Sequence, residues 1–246
     1  MKISSRKSIK KYYQDKDVAK NYISERFVQP IYSFEHERQV SMVNMLIREQ
    51  KLKNILEIAP GPARMTREIK SSGTVLEYSN EMLDMARKNM AGSSHKWKFV
   101  SGDAFNMKLP PGSFDLVFTF RFLRHFMEIQ RKKLYMGIRK VLKPGGYLVF
   151  EALNRKKHSL IRRIVGKEKY FIYDALYDLG ELVVEMENSG FEVVEAEPVI
   201  NHFFTQYMIS RLSAAAGRKD LGKRIIKILE NFRGQPFGWV IVCRKK

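Results

Sequence analysis

Apolar residues arrive in short runs closed by turn residues, and several runs give way at once to the wider spacing of a helix face. Ile55-Leu56-Glu57-Ile58 has the pattern of a buried strand, and after a small-residue turn the stretch from Arg64 to Ile69 reads as the start of a helix. A second strand over residues 73–77 precedes a segment in which Met82, Leu83 and Ala86 recur at helical spacing. A third strand ends at Asp103-Ala104, and a fourth runs from Phe114 to Phe120. A helix ending near Val141 stops at Lys143-Pro144-Gly145-Gly146 before a fifth strand. A helix is then expected from Tyr173, followed by strands over 190–199 and 238–246. Ahead of the first strand two more helices are expected, the second placing Val40, Val43, Met45, Leu46 and Ile47 for packing. Strands that alternate with helices in this way predict a doubly wound α/β sheet.

The turn after the first strand is where such a sheet meets a nucleotide-type ligand. A dinucleotide fold needs a third small residue beneath the pyrophosphate, and here that position falls on Arg64. A P-loop needs a Lys-Ser or Lys-Thr pair after the turn, and none follows. What remains is an acid followed by small residues at every second position, Glu57, Ala59, Gly61 and Ala63. This element resembles the first motif of the class I S-adenosylmethionine-dependent methyltransferases. The alanines fit that turn if their φ angles are negative.

Later segments extend the resemblance over roughly residues 54–153. Glu77, twenty residues beyond Glu57, opens Glu77-Tyr78-Ser79-Asn80-Glu81-Met82-Leu83, and Gly102-Asp103-Ala104 precedes Leu109-Pro110 and Phe114-Asp115. The resemblance implies S-adenosyl-L-methionine as cofactor, with Glu57, Ala59, Gly61, Glu77, Tyr78, Met82, Asp103, Ala104 and Phe120 around it. Glu77 would take the ribose hydroxyls, Asp103 the adenine amine. The Ala-x-x-Tyr-x-x-Arg-Phe-like element over 19–27 is similar to the lid of the small-molecule, ubiquinone- and menaquinone-methyltransferase-like branch. It suggests Tyr22 over the cofactor and Tyr13 toward the substrate.

Methyl transfer requires alignment of a nucleophile and removal of its proton. His125, at the carboxyl end of strand four, is the candidate base, with a merely pocket-lining role as the alternative. Arg121 is assigned to the substrate, as are Phe203 and Tyr207 from the long segment between the last two strands. That segment, residues 201–236, is either an aromatic wall of the pocket or a homodimerisation element, and both readings stay open. No Asp-Pro-Pro-Tyr-like clamp follows strand four, and Cys243, the single cysteine, lies in the last strand. Covalent cysteine chemistry, a disulfide framework and a cysteine-rich metal site are therefore not expected.

Charge complicates this picture: 45 Lys and Arg against 26 Asp and Glu give +19. Such a balance suits nucleic acid or peripheral contact with an anionic membrane, but the bases are spread rather than interleaved with stacking aromatics. No apolar run approaches the roughly twenty residues of a membrane span, so a cytoplasmic protein is expected. The expectation is a seven-stranded, mostly parallel Rossmann-like sheet of order 3-2-1-4-5-7-6, strand seven antiparallel. An N-terminal helical cap would occupy residues 1–50 and the methyltransferase domain 51–246, with insertions at 154–173 and 201–236. The expected reaction is methyl transfer to oxygen, nitrogen or activated carbon of a small or lipid-like acceptor. A tRNA or rRNA methyltransferase and a non-catalytic cofactor-binding scaffold are the alternatives.

Overall fold

The computed structural model describes residues 29–166, 170 and 172–246. The lid segment with Tyr13 and Tyr22 lies outside the described residues.

Period-two alternation within the strands builds two apolar layers from one sheet. In β4, Phe114–Thr119, Leu116 and Phe118 face one layer and Val117 the other. In β8, Gly238–Lys245, Val240 and Val242 alternate in the same way with Ile241 and Cys243. Both faces must then be covered, and helices cover them. One layer receives α3, Glu128–Val141, and α5, Leu179–Asn188, through Leu134, Tyr135, Ile138, Leu182 and Met186. The other receives α1, Pro30–Glu49, through Ile31, Phe34, Val43 and Ile47. A helical hairpin, α6, Phe203–Ala215, and α7, Lys219–Glu230, adds Phe203 and Ile226 to that layer.

The sheet runs β3-β2-β1-β4-β5-β8-β7, the expected order. β1, Ile55–Ile58, is flanked in parallel by β2, Gly73–Glu77, and β4. β3, Trp97–Ser101, forms one edge. β5, Leu142–Asn154, pairs in parallel with β4 and antiparallel with β8, which in turn pairs antiparallel with β7, Phe191–Val199. Cys243 is fully buried in the last strand, and burial pushes its thiol pKa up.

Four local readings need correction. The stretch after the first turn is not a helix: only Thr66–Glu68 makes a single 3-10 turn. β3 stops at Ser101, and Asp103 instead caps the 3-10 turn Ala104–Asn106. The strand assignment of β5 extends back through the Lys-Pro-Gly-Gly stretch, where Gly145 takes φ 70°. The helix expected from Tyr173 starts at Leu179, because Leu176–Tyr177 forms a short strand, β6, parallel to the end of β5. Backbone pairing there outcompetes the helical apolar spacing. The preceding insertion includes α4, Arg155–Val165, whose N-cap Asn154 accepts from the backbone N–H of Lys156 at 3.0 Å.

The hairpin leaves and rejoins the sheet at one place. Val199 of β7 pairs with Gly238 of β8, while Glu230 accepts hydrogen bonds from the backbone of Ile200 (2.8 Å) and Asn201 (3.0 Å) and from Gln206 Nε2 (2.9 Å).

Candidate active site

A cleft of about 790 Å³ opens at the carboxyl ends of β1, β2 and β4, the edge where α/β sheets bind ligands. Its floor is the turn between β1 and the 3-10 segment. Ala59, Gly61 and Ala63 take φ 54°, 57° and 62°, which overturns the expectation of negative φ at the alanines. Pro60 and Pro62 are held at negative φ by their rings, so the turn alternates in handedness at every residue. Each left-handed alanine costs on the order of 1 kcal/mol. Ala59 N–H donates to the Leu76 carbonyl at 2.9 Å and Gly61 N–H to Glu77 at 3.2 Å.

Glu77 ends β2 and joins the two loops that border the cleft. One carboxylate oxygen accepts from Gly61 and the other from the Ser79 N–H at 2.9 Å. Burial raises its pKa, against the lowering effect of the Ser79, Gly61 and Tyr78 backbone amides. Ser79 caps α2, Asn80–Asn89, by accepting from Met82 N–H at 3.2 Å. That cap seats Met82 in the core with its side chain also lining the cleft. Tyr78, Asp103, Ala104 and Phe120 line it too, and Asp103 accepts from Phe105 N–H at 3.0 Å.

Glu57 stands apart from these. It is buried beneath the turn, accepts from Thr66 Oγ1 at 2.6 Å and is not among the residues lining the cleft. Burial pushes its carboxyl up to about 8, although the Thr66 hydrogen bond and Arg64 pull the other way. Arg64, the residue too large for a dinucleotide turn, is buried and reaches α1: it donates to Gln39 Oε1 at 3.1 Å and to His36 Nδ1. His36 Nε2 then faces Glu68 at 2.8 Å. A polar network thus fastens α1 to the turn, and only the bulk of Arg64 hinted at it in the sequence.

The far end of the cleft is aromatic. Phe126 meets Phe105 and Phe122 edge-on, each with ring centroids 5.0 Å apart. None of these three was singled out from sequence, since a helix start and a pocket wall read alike there. His125 lines this end from a 3-10 turn, Leu123–His125. Its Nδ1 lies 3.0 Å from the Tyr173 carbonyl and 3.2 Å from Asp174 Oδ1. Two acceptors at Nδ1 place the proton of a neutral ring there, so Nε2 carries the lone pair. Burial alone would raise Asp174, but Arg124, the His125 hydrogen bond and Arg162 together hold it well below the usual carboxylate range.

Arg121 lines the cleft with φ 60°, and its N–H donates to Glu151 Oε1 at 2.5 Å. Glu151, buried, and Arg124, half-buried, continue the charged group behind it. Phe203 and Tyr207 do not line the cleft. Phe203 is buried, stacked on Phe237 at 4.8 Å, because the apolar layer beneath the hairpin claims it. Tyr207 stacks on Phe203 at 5.6 Å and is partly exposed. It does share a neighbourhood with Arg121 and Tyr32, whose hydroxyl is pushed up to about 12, chiefly by burial.

Residues 55–146 match the family model described as a methyltransferase domain. Over these 92 of its 246 residues the chain is similar to that family. Among curated relatives, a sterol 24-C-methyltransferase from Aspergillus fumigatus is 30% identical over 148 residues, 56% of this chain and 38% of that protein. A ubiquinone biosynthesis O-methyltransferase from Thiobacillus denitrificans is 26% identical over 121 residues, 47% of this chain and 51% of that protein. The matched stretch thus spans about half or less of these relatives' lengths. Among solved structures, magnesium protoporphyrin IX methyltransferase from Synechocystis, with bound SAH, superposes with TM-score 0.69 over 98% of this chain and 100% of that one, at 8% identity. A possible histamine N-methyltransferase from Thermotoga maritima gives 0.64 over 96% and 99%, at 18% identity. These two likenesses establish the methyltransferase fold.

The Synechocystis neighbour holds SAH, the demethylated form of S-adenosylmethionine. The residues fit it: Gly61 sits in the open, with nothing within 4 Å of where a Cβ would lie, and Glu77 borders the same cleft.

Proposed function

We propose that the chain catalyses methyl transfer from S-adenosylmethionine to a small, lipid-like acceptor. The observation that carries this reading is the two-ended cleft, with the Gly61 turn, Glu77 and Asp103 at one end and the Phe105, Phe122 and Phe126 wall with His125 at the other. The cofactor supplies an activated methyl on a sulfonium. Glu77 accepts from the ribose hydroxyls, Asp103 from the adenine amine, and Met82 and Ala104 bound the ring. Glu57 acts through Thr66 and the turn rather than by contact. The aromatic wall excludes water and holds an apolar acceptor. His125 Nε2 takes the acceptor's proton while Asp174 steadies the imidazolium that results. Arg121 orients a polar group of the acceptor.

Two curated relatives are named for methylating a sterol and for ubiquinone biosynthesis, which supports a lipid-like acceptor. The assignment of residues 51–246 to the methyltransferase domain and residence in the cytoplasm belong to the same proposal. The test is transfer of tritiated methyl from S-adenosylmethionine into a total lipid extract. Label in the organic phase that falls by about a hundredfold in His125→Ala supports the proposal. Label entering acid-precipitable bulk tRNA instead overturns it.

A further inference from the structure

The hairpin of α6 and α7 carries apolar residues on two sides. Phe203, Gln206 and Ser210 of α6 and Gly222 and Ile226 of α7 are buried toward the body. The helices approach closely at Gly222, where a Cβ would fall 1.9 Å from Ser213 Oγ. A second stripe faces solvent. Phe204, Met208 and Leu212 recur every fourth residue on α6 and are 42%, 61% and 66% exposed. Leu221, Ile225 and Ile228 follow at spacings of four and three on α7, with Phe232 just beyond it, at 49%, 38%, 58% and 60% exposed. Such spacing puts each set on one helix face. Exposed apolar stripes of this kind are rare on a protein surface that meets only water.

Around them the charge is one-sided. Residues 201–236 hold seven bases, Arg211, Arg218, Lys219, Lys223, Arg224, Lys227 and Arg233, against Asp220 and Glu230. Glu230 is turned inward to clasp Ile200, Asn201 and Gln206, and Lys223 pairs with Glu37 of α1; the other six bases outnumber Asp220 in the hairpin, so the outward field is basic.

We propose that this hairpin docks the protein on an anionic lipid bilayer, the aliphatic stripes entering the headgroup boundary and the bases meeting lipid phosphates. Three observations favour that occupant. Nucleic acid without sequence preference is gripped by aromatic stacking, whereas five of the seven exposed residues are Leu, Ile or Met. A second copy would set seven bases against seven. No described helix is long and apolar enough to cross a membrane, which leaves a surface association. The hairpin leaves β7 at Val199 and rejoins at Gly238, which pairs with Leu153 near the carboxyl end of β5, so it stands at the same edge of the sheet as the cleft. Docking there would set the cleft beside the bilayer from which an apolar acceptor must be drawn.

The inference goes beyond the methyl-transfer reading, since vesicle binding needs neither cofactor nor acceptor. The test is cosedimentation of the full chain with vesicles of equal parts phosphatidylglycerol and phosphatidylcholine, compared with phosphatidylcholine alone. Binding to the anionic vesicles should be about tenfold tighter or more, and should weaken with salt. Ile225→Ser with Ile228→Ser, and separately Arg224→Glu with Lys227→Glu, should each lower it by roughly tenfold or more. Affinity for S-adenosylhomocysteine should be unchanged in both, which shows that the domain remains folded. Absent binding, equal binding to both vesicle types, or undiminished binding by the variants overturns the proposal. So does a dimer in light scattering, or a tRNA gel shift, that the same substitutions abolish while vesicle binding persists.

Discussion

Glu57→Gln should make the protein more stable, and by an amount that grows with pH. The native carboxyl is held near 8 instead of its ordinary 4.5, because burial penalises the charge more than Thr66 and Arg64 relieve it. Between those values the folded chain keeps a proton that the unfolded chain has released, so stability falls as pH rises. Integrating the two titrations gives a loss of about 2.5 kcal/mol from pH 5 to pH 7 that is due to Glu57. A folded value one unit lower still leaves about 2 kcal/mol. Gln is neutral, nearly isosteric, and can accept from Thr66 through its amide oxygen. Glu77 and Glu151 are also raised by burial, but they slope both proteins alike and cancel in the difference. Urea unfolding at pH 5, 6 and 7, followed by the fluorescence of Trp97 and Trp239, measures it. Curves for wild type and variant that stay parallel within about 0.5 kcal/mol would refute the neutral, buried state of Glu57.

Glu77→Ala should weaken S-adenosylhomocysteine binding by about 1.5–3 kcal/mol in calorimetry, since it removes a charged acceptor and frees the Gly61 and Ser79 amides; unchanged affinity sinks that assignment. Ala59→Val should destabilise by roughly 1–3 kcal/mol because a β-branched residue cannot easily hold φ 54°, while Ala59→Gly should be neutral or better; equal thermal melting of the two would show that the turn relaxes. Phe203→Ala should cost about 3–5 kcal/mol in chemical unfolding yet leave the acceptor KM unchanged, and a raised KM in a stable variant would return Phe203 to the pocket.

The parallel core was legible because each strand there is a short apolar run with a motif at its carboxyl end, and local sequence decides both. The placement of Glu77, Asp103 and His125 along the cleft was legible for the same reason. The left-handed alanines were not, because a side chain that tolerates φ 54° looks the same in sequence as one that avoids it. Leu176–Tyr177 misled because pairing with β5, more than twenty residues earlier, overrode the local helical spacing. Phe203 was read as pocket wall because an aromatic in an insertion serves equally as glue, and only the stack on Phe237 distinguishes the two. The network of Arg64, His36 and Gln39 joins segments 25 and 28 residues apart, a distance at which no periodicity carries information.

The clasp at Glu230 separates the hairpin's outer face from the sheet, while Phe203, Gln206, Ser210 and Ile226 hold its inner face in the core. Val199 and Gly238 are already register partners, and Phe237 N–H donates to the Val199 and Ile200 carbonyls at 3.1 and 3.0 Å, so the two strands are stitched together at the point where the excursion departs. A tight turn could close that gap without shifting a single rung of the ladder. The length and the outer surface of what lies between are therefore free to vary while the catalytic edge, at β1, β2 and β4, keeps its geometry. One scaffold can in this way be readdressed to a different surface by changing only the exposed residues between 201 and 236, without redesigning the chemistry.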